Sequence, residues 1–362
     1  MATSARMTIA ATILTYAESL AGGGVERAQL ELARQWIDAG RRVVLVIGSA
    51  EGPLGREIPA GMELIELGSD RYPALLALPR HVRKVAPDVI FCPGNYYTGV
   101  AAVTRLRLGR ACPPVVAKVS NAFARADQGP LAAWGYRWWL RRHPAFIDRF
   151  VAMGAAMREE AIRVARLDPA VVDVVADPLP QAPPSGSAPP LPGAPFVLGV
   201  GRLNPQKRWD RLIESVSRLP DLHLVILGDG PERLRLEALA TRLGVTARVH
   251  LPGHSGDPLA AMRAARVVAL TSDFEGIPAV LREALSVGTP VVTTDSAVSI
   301  RDVVGPHQGS IVPIGDAAAL DAALTRWSAP GTARPQPFRD GDDAGVRYLT
   351  IFDSVVEGGR LA

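Results

Sequence analysis

Long apolar runs are missing from this 362-residue sequence. None approaches the roughly 20 residues that a helix needs to span a bilayer, so the composition is that of a globular, soluble chain and not of a channel or anchor. Cysteine is scarce: Cys92 and Cys112 are the two in the chain. A disulfide framework and a cysteine-rich metal site are thereby excluded, and a reducing, cytoplasmic setting is expected. Charge of one sign is also lacking. The net charge is +4, with no dense basic run and no nucleic-acid-binding motif, so nucleic acid is not an expected partner. The opening MATSARMTIAATILTYAESLAGGG has a short apolar run, but Glu18 and a triple glycine follow it. A first strand explains it better than a signal peptide.

What is abundant is alternation. Short β-branched or apolar runs at Thr8 to Leu14, Arg42 to Ile47, Glu63 to Leu67, Asp88 to Cys92, Val115 to Val119 and Arg149 to Ala152 read as strands. Helical patterns such as Val25 to Ala39, Tyr72 to Val85 and Met157 to Arg166 separate them. Strands alternating with helices predict a parallel, doubly wound sheet. Between Asp177 and Pro195 the pattern breaks into DPLPQAPPSGSAPPLPGAP, with eight prolines, which predicts an extended linker. The alternation restarts at Phe196 and runs to Trp327. The expected organisation is an α/β chain of two Rossmann-like domains, 1–176 and 196–330, joined by a linker at 177–195. A tail at 331–362 would carry a helix that packs back towards the first domain. Such domains are expected to present the carboxyl ends of both sheets to a ligand cleft.

The second half holds the densest chemistry. Gly199-Val-Gly-Arg202-Leu-Asn-Pro-Gln-Lys207 places a guanidinium and an ammonium five residues apart after a strand, a pair suited to a diphosphate. Gly228-Asp-Gly-Pro231 offers a turn that admits a flat base close to the backbone. Gly253-His254 follows the next strand, with His254 read either as a donor contact or as a solvated loop histidine. Then comes TSDFEGIPAVLREALSVGTPVV from Thr271 to Val292. Pro278 suits a first helical turn and Gly288 with Pro290 marks its end, which puts Glu275 in the loop and Glu283 about two turns into the helix. A helix start supplies N–H donors to an anion while carboxylates accept from hydroxyls. Taken singly, each glutamate reads as an ordinary surface carboxylate; together they suit a polyol attached to a phosphate. Asp340, Asp342 and Asp343 follow a proline-rich stretch without a strand and read as a solvated loop, not a metal site.

Order and spacing make these loops specific. The motifs GRLNPQK, GDGP, PGHS, EGIPAVLREALSVGTPVV and the TTD after it resemble the retaining glycosyltransferases of family four, which have the GT-B fold. The likeness is strong over about Val197 to Val304. It continues more weakly at GGGVERAQLELARQWIDAGRRVVLV, which looks like the family's glycine loop and first helix. The resemblance implies that Arg202 and Lys207 neutralise the donor diphosphate and that Glu283 binds the ribose. It implies that Glu275, with the backbone of Gly276 and Ile277, holds hydroxyls of the transferred sugar. Gly201, Gly228, Gly230 and His254 would complete the donor site, and Gly23 and Gly24 would let the first domain approach it. It further implies retention of anomeric configuration, with the departing phosphate taking the acceptor's proton. A nucleotide diphosphate sugar would be the donor substrate, with no cofactor and no metal. A glycan or lipid-linked acceptor, in surface polysaccharide biosynthesis, would be the partner. Many relatives carry a histidine after the strand here read as VVAKVS. This chain has Ser120-Asn121 there, so either sugar or acceptor contact is expected from Lys118, Ser120 or Asn121, or the role is filled elsewhere. Asp302 replaces a usual glutamate.

Competing readings are a non-catalytic nucleotide-sugar-binding protein of this fold, and a sugar epimerase or phosphorylase of the same architecture. The phosphorylase would carry a lysine-bound pyridoxal phosphate. One further segment stands out, WGYRWWLRR from Trp134 to Arg142. Trp134, Trp138, Trp139, Arg141 and Arg142 fit an interfacial helix on the inner face of a membrane. A helix packed on the sheet with its arginines in water is the competing reading, favoured because a stripe of aromatics is usually core.

Overall fold

The computed structural model describes residues 9–21, 24–120, 129–179, 189–276, 278–338 and 341–359. The chain separates into two compact units, Met1–Pro180 with Asp340–Ala362, and Gln181–Arg339.

The first unit is built on β1 (Thr12–Ser19), β2 (Arg42–Ser49), β3 (Glu63–Glu66), β4 (Val89–Cys92), β5 (Val115–Val119), β6 (Arg149–Ala152) and β7 (Val172–Val174). All pairings are parallel, in the order β3-β2-β1-β4-β5-β6-β7. Strands covered by helices on both faces take near-continuous apolar sequence, and the whole of VIFC and VVAKV is buried. The first strand lies further along the chain than its apolar run suggests, at 12–19 instead of 8–14. Its polar residues belong to the core because they find partners there. Thr15 Oγ1 donates to the carbonyl of Phe91 at 3.0 Å and the Tyr16 hydroxyl donates to that of Tyr97 at 3.1 Å.

The helix Ala344–Gly359 returns to this unit. Its Phe352 ring lies 5.1 Å from that of Trp36 and its Tyr348 ring 5.4 Å from that of Phe91, edge to face. Asp353 adds an ion pair to Arg41 at 3.0 Å. The stretch just before it, grouped with the tail by sequence, packs instead in the second unit. The Phe338 N–H donates to the Leu285 carbonyl and the Arg334 guanidinium to that of Ala265.

The second unit repeats the plan with β8 (Phe196–Val200), β9 (His223–Leu227), β10 (Val249–Gly253), β11 (Val267–Leu270), β12 (Val291–Thr294) and β13 (Gly309–Val312), in the order β10-β9-β8-β11-β12-β13. The helix Trp209–Arg218 shows how sequence dictates the packing. Trp209, Leu212, Ile213 and Val216 are buried at helical spacing, so one stripe faces the sheet. In both units the strand order reverses once, between β1 and β4 and between β8 and β11. Ligands of doubly wound sheets bind outside the carboxyl ends of the strands at such a reversal.

Candidate functional site

At the reversal of the second unit, two loops meet. The loop after β8 carries Arg202 and Lys207, and the loop after β11 carries Thr271 to Gly276. Asn204 caps a short turn by accepting from the Lys207 N–H, which aims the lysine back over the sheet edge. The Lys207 ammonium donates to Glu275 Oε1 at 2.6 Å, and the Ser272 hydroxyl donates to the same oxygen. Further bonds hold these loops: the Asp273 N–H to the Gln206 carbonyl at 3.0 Å, the Gln206 side-chain amide to the Phe274 carbonyl at 2.7 Å, and the Glu275 N–H to the Ser296 carbonyl at 2.9 Å. The Lys207 and Glu275 side chains are 17% and 9% exposed, so the pair sits in a partly dehydrated edge where charge acts more strongly than in water.

The neighbouring loops press against this one. Gly228, at φ +140°, comes so close that a Cβ would stand 2.1 Å from the Gly201 carbonyl oxygen. No other residue fits there. The Leu203 N–H donates to the Asp229 carbonyl, and the Gly228 N–H to that of Gly253. Gly201, Gly228, Gly230 and Gly253 thus form one continuous backbone edge. Arg202 and His254 project from it as exposed side chains. Asp229 is held below the ordinary carboxylate range, chiefly by the hydrogen bond from Arg233.

The elbow differs in detail from expectation. Pro278 is the extended residue before the helix, which runs Ala279–Ser286. Glu283 is therefore its fifth residue, little more than one turn in, and it is half-buried. Leu281, Ala284 and Leu285 bury the opposite stripe. The Gly276 carbonyl accepts from the Ser299 hydroxyl at 2.6 Å, which fixes the loop between the two glutamates.

In the first unit the structure redistributes the roles read from sequence. Lys118 is in the core, its side chain 1% exposed, with its ammonium on both oxygens of Asp177 at 3.0 and 2.9 Å. A sugar does not reach it there. Ser120 is buried against Asn95, accepting from the Asn95 N–H at 3.1 Å and donating its own N–H to Asn95 Oδ1 at 3.0 Å. Gly24 opens the helix Gly24–Asp38, and a Cβ on it would meet nothing within 4 Å. Gly23, Asn121, Ile277 and Asp340 lie outside the described residues. Asp302, Asp342 and Asp343 are exposed.

The helix Pro130–Leu140 divides its tryptophans. Trp139 packs on Phe146 and His143, with ring centroids 5.3 and 5.4 Å apart. Trp134 and Trp138 are 66% and 51% exposed, and the Arg142 guanidinium lies 4.8 Å over the Trp138 ring. Trp139 thus packs inward while Trp134 and Trp138 face outward. Among the described residues no helix is long and apolar enough to cross a membrane.

Two doubly wound parallel sheets, the second with charged and glycine loops gathered at its strand reversal, define the two-domain α/β class called GT-B. Comparison with known proteins narrows this. Residues 188–335 match the model described as "Glycosyl transferases group 1" and residues 22–178 match "Glycosyltransferase Family 4". The chain is 30% identical over 280 residues to a GDP-mannose-dependent alpha-mannosyltransferase of Mycobacterium tuberculosis, covering 71% of this chain and 70% of that one. It is 38% identical over 141 residues to the lipopolysaccharide core biosynthesis glycosyltransferase LpsE of Rhizobium meliloti, covering 39% of this chain and 42% of that protein. The structure of Anabaena Alr3699/HepE in complex with UDP-glucose superposes with a TM-score of 0.70 at 17% identity, over 96% of this chain and 98% of that one. Matches to the first curated relatives span 42%, 28% and 36% of their lengths. The chain belongs to the group 1, family-four glycosyltransferases.

Signals the sequence reading missed lie mainly in the first unit. Tyr16, Glu18, Tyr96 and Tyr97 gather at the carboxyl ends of β1 and β4, with Tyr16 and Tyr97 rings 5.9 Å apart and Tyr96 and Tyr97 rings 5.1 Å apart. Burial pushes the Tyr16 and Tyr97 hydroxyls well above their ordinary range. The available clue was Asn95-Tyr-Tyr97 after a buried strand, at the edge where a ligand belongs.

Proposed function

We propose that the chain is a retaining glycosyltransferase that moves a sugar from a nucleotide diphosphate sugar to a glycan or lipid-linked acceptor in surface polysaccharide biosynthesis. The observation that carries this reading is the Lys207–Glu275 pair at the strand reversal. An ammonium holding a carboxylate at that point has two further protons to offer a phosphate. The carboxylate has lone pairs left for sugar hydroxyls. Arg202, exposed on the same loop, adds charge that strengthens as the nucleotide departs. Glu283 takes the ribose hydroxyls, and the glycine edge from Gly201 to Gly230 receives the base and phosphates.

In this reading the bond from the anomeric carbon to the phosphate oxygen breaks with its electron pair on the phosphate. The acceptor oxygen bonds to that carbon on the same face, and its proton passes to the departing phosphate. Positioning and fixed charge then supply the rate, and the cationic pair does the work that a divalent ion does elsewhere. The lipopolysaccharide core biosynthesis role of LpsE supports the acceptor class. The exposed Trp134 and Trp138 beside Arg137, Arg141 and Arg142 support peripheral contact with an anionic membrane face. Flotation with anionic liposomes tests that contact, and loss of binding in Trp134→Ala/Trp138→Ala is the expected result.

The activity is tested by incubating purified chain with UDP-, GDP-, ADP- and dTDP-sugars and a cell-envelope glycan extract, following nucleoside diphosphate release. Release from one donor class, reduced roughly 10²- to 10³-fold in Lys207→Met as for loss of a transition-state donor, is the expected outcome. No release from any donor, by protein that binds none of them, removes the reading.

A further inference from the structure

We infer that Tyr96 and Glu18 form a sugar-binding platform on the first unit, the place where the ring of the acceptor rests; this builds on the glycosyltransferase reading above. Tyr96 is 60% exposed, yet its ring is fixed from three sides. The Tyr72 ring stands 5.0 Å away and the Tyr97 ring 5.1 Å away, both edge to face. The Tyr96 hydroxyl donates to Glu18 Oε2 at 3.0 Å. An exposed aromatic ring on an ordinary surface is free to turn; this one is held before any ligand arrives, which lowers the ordering cost of binding.

The support continues inward. The Tyr97 hydroxyl donates to Glu26 at 3.2 Å and receives the Glu18 N–H at 3.3 Å. The Tyr72 hydroxyl donates to the Tyr96 carbonyl at 3.3 Å. A Cβ on Gly94 would stand 2.5 Å from Ser120 Oγ, so the loop after β4 is locked against the loop after β5. Glu18 is the penultimate residue of β1 and Tyr96 follows β4, which places both at the strand reversal of this sheet, the expected ligand edge. The face of an aromatic ring is electron-rich and attracts the weakly positive C–H face of a pyranose. A carboxylate beside it accepts from the sugar's equatorial hydroxyls. An aromatic platform with one adjacent carboxylate selects an uncharged sugar ring over a phosphate or an acidic sugar, because Glu18 repels anions.

The test is saturation-transfer NMR on the full chain with methyl glycosides of glucose, galactose, mannose and N-acetylglucosamine, with UDP, GDP, ADP and dTDP each added in turn. Wild type is expected to saturate at least one glycoside. Tyr96→Ala lowers that signal by roughly tenfold, the scale set by losing a fixed aromatic anchor, while Tyr96→Phe keeps most of it and nucleotide signals stay unchanged in both. Glu18→Gln, which preserves size and folding, also weakens the glycoside. Equal glycoside signals in wild type and Tyr96→Ala, or nucleotide binding with no glycoside binding, overturn the platform and leave the donor site standing. Tyr96-dependent glycoside binding without nucleotide binding upholds the platform and removes the transferase reading. Absence of both removes both.

Discussion

Lys207 Nζ lies 2.6 Å from Glu275 Oε1, although the two residues are separated by 68 positions and follow different strands. They meet because β8 and β11 are neighbours at the one point where the strand order of the second sheet reverses. The contact joins a structural role to a chemical one. It ties two loops together, and it holds both charges at the edge where a diphosphate sugar would lie.

That double role gives a separable prediction. Lys207→Met and Glu275→Gln each leave a charge without its main partner in a site little exposed to water, and each is expected to destabilise the protein. The double variant recovers part of the loss, with a coupling of roughly 1–3 kcal/mol, as for side chains in contact. Urea unfolding measures the coupling. Turnover stays lost in the double variant, because removing both charges restores neither phosphate nor sugar contact. Additive stabilities would show that the pair is incidental.

The buried pair Lys118–Asp177 behaves differently. Lys118→Met leaves the Asp177 carboxylate without its ammonium and is expected to cost about 3–5 kcal/mol, the usual result of breaking a buried pair. Nucleotide affinity, measured by calorimetry below the unfolding transition, is expected to match wild type. A large fall in affinity with little change in stability would return Lys118 to the ligand site.

Lys118 shows where sequence stops informing. VVAKVS announces a buried strand, but whether its lysine faces a ligand or the core depends on Asp177, 59 residues away, and on nothing local. Tyr96 is a similar case, since its neighbours Tyr72 and Glu18 come from separate segments. By contrast, the loop after β8 and the elbow were legible because glycine, proline and charge fall there at short, fixed spacings. The alternation of strands and helices was legible for the same reason. The first strand was misplaced because Thr15 and Tyr16 look polar in sequence, and they are buried through hydrogen bonds to the neighbouring segment.

His143 makes stability depend on pH. It is 2% exposed, packed among the rings of Trp139, Phe146 and Phe150, and burial pushes its pKa down from the ordinary 6.5 to about 4. Above 6.5 both folded and unfolded states hold a neutral ring, so the group takes nothing from stability. Between 6.5 and about 4 the unfolded chain gains a proton that the folded chain refuses, and stability falls by about 3 kcal/mol across that window. Unfolding curves collected through this range on wild type and His143→Phe check it. The variant is expected to lose less stability on acidification. An equal slope in both would assign the acid sensitivity elsewhere.

The central claim is that the edge carrying Lys207, Glu275 and Glu283 is a nucleotide diphosphate sugar site. It is tested most directly by thermal stabilisation with UDP, GDP, ADP and dTDP, on wild type and on Glu283→Ala. The account predicts that one nucleotide raises the melting temperature of wild type, by a free energy near 2.7 kcal/mol when the ligand is at about 100 times its Kd. It predicts that this shift disappears in Glu283→Ala, measured relative to the variant's own unliganded melting temperature. A folded wild type that none of the four stabilises at millimolar concentration would contradict it, as would a Glu283→Ala variant stabilised as well as wild type.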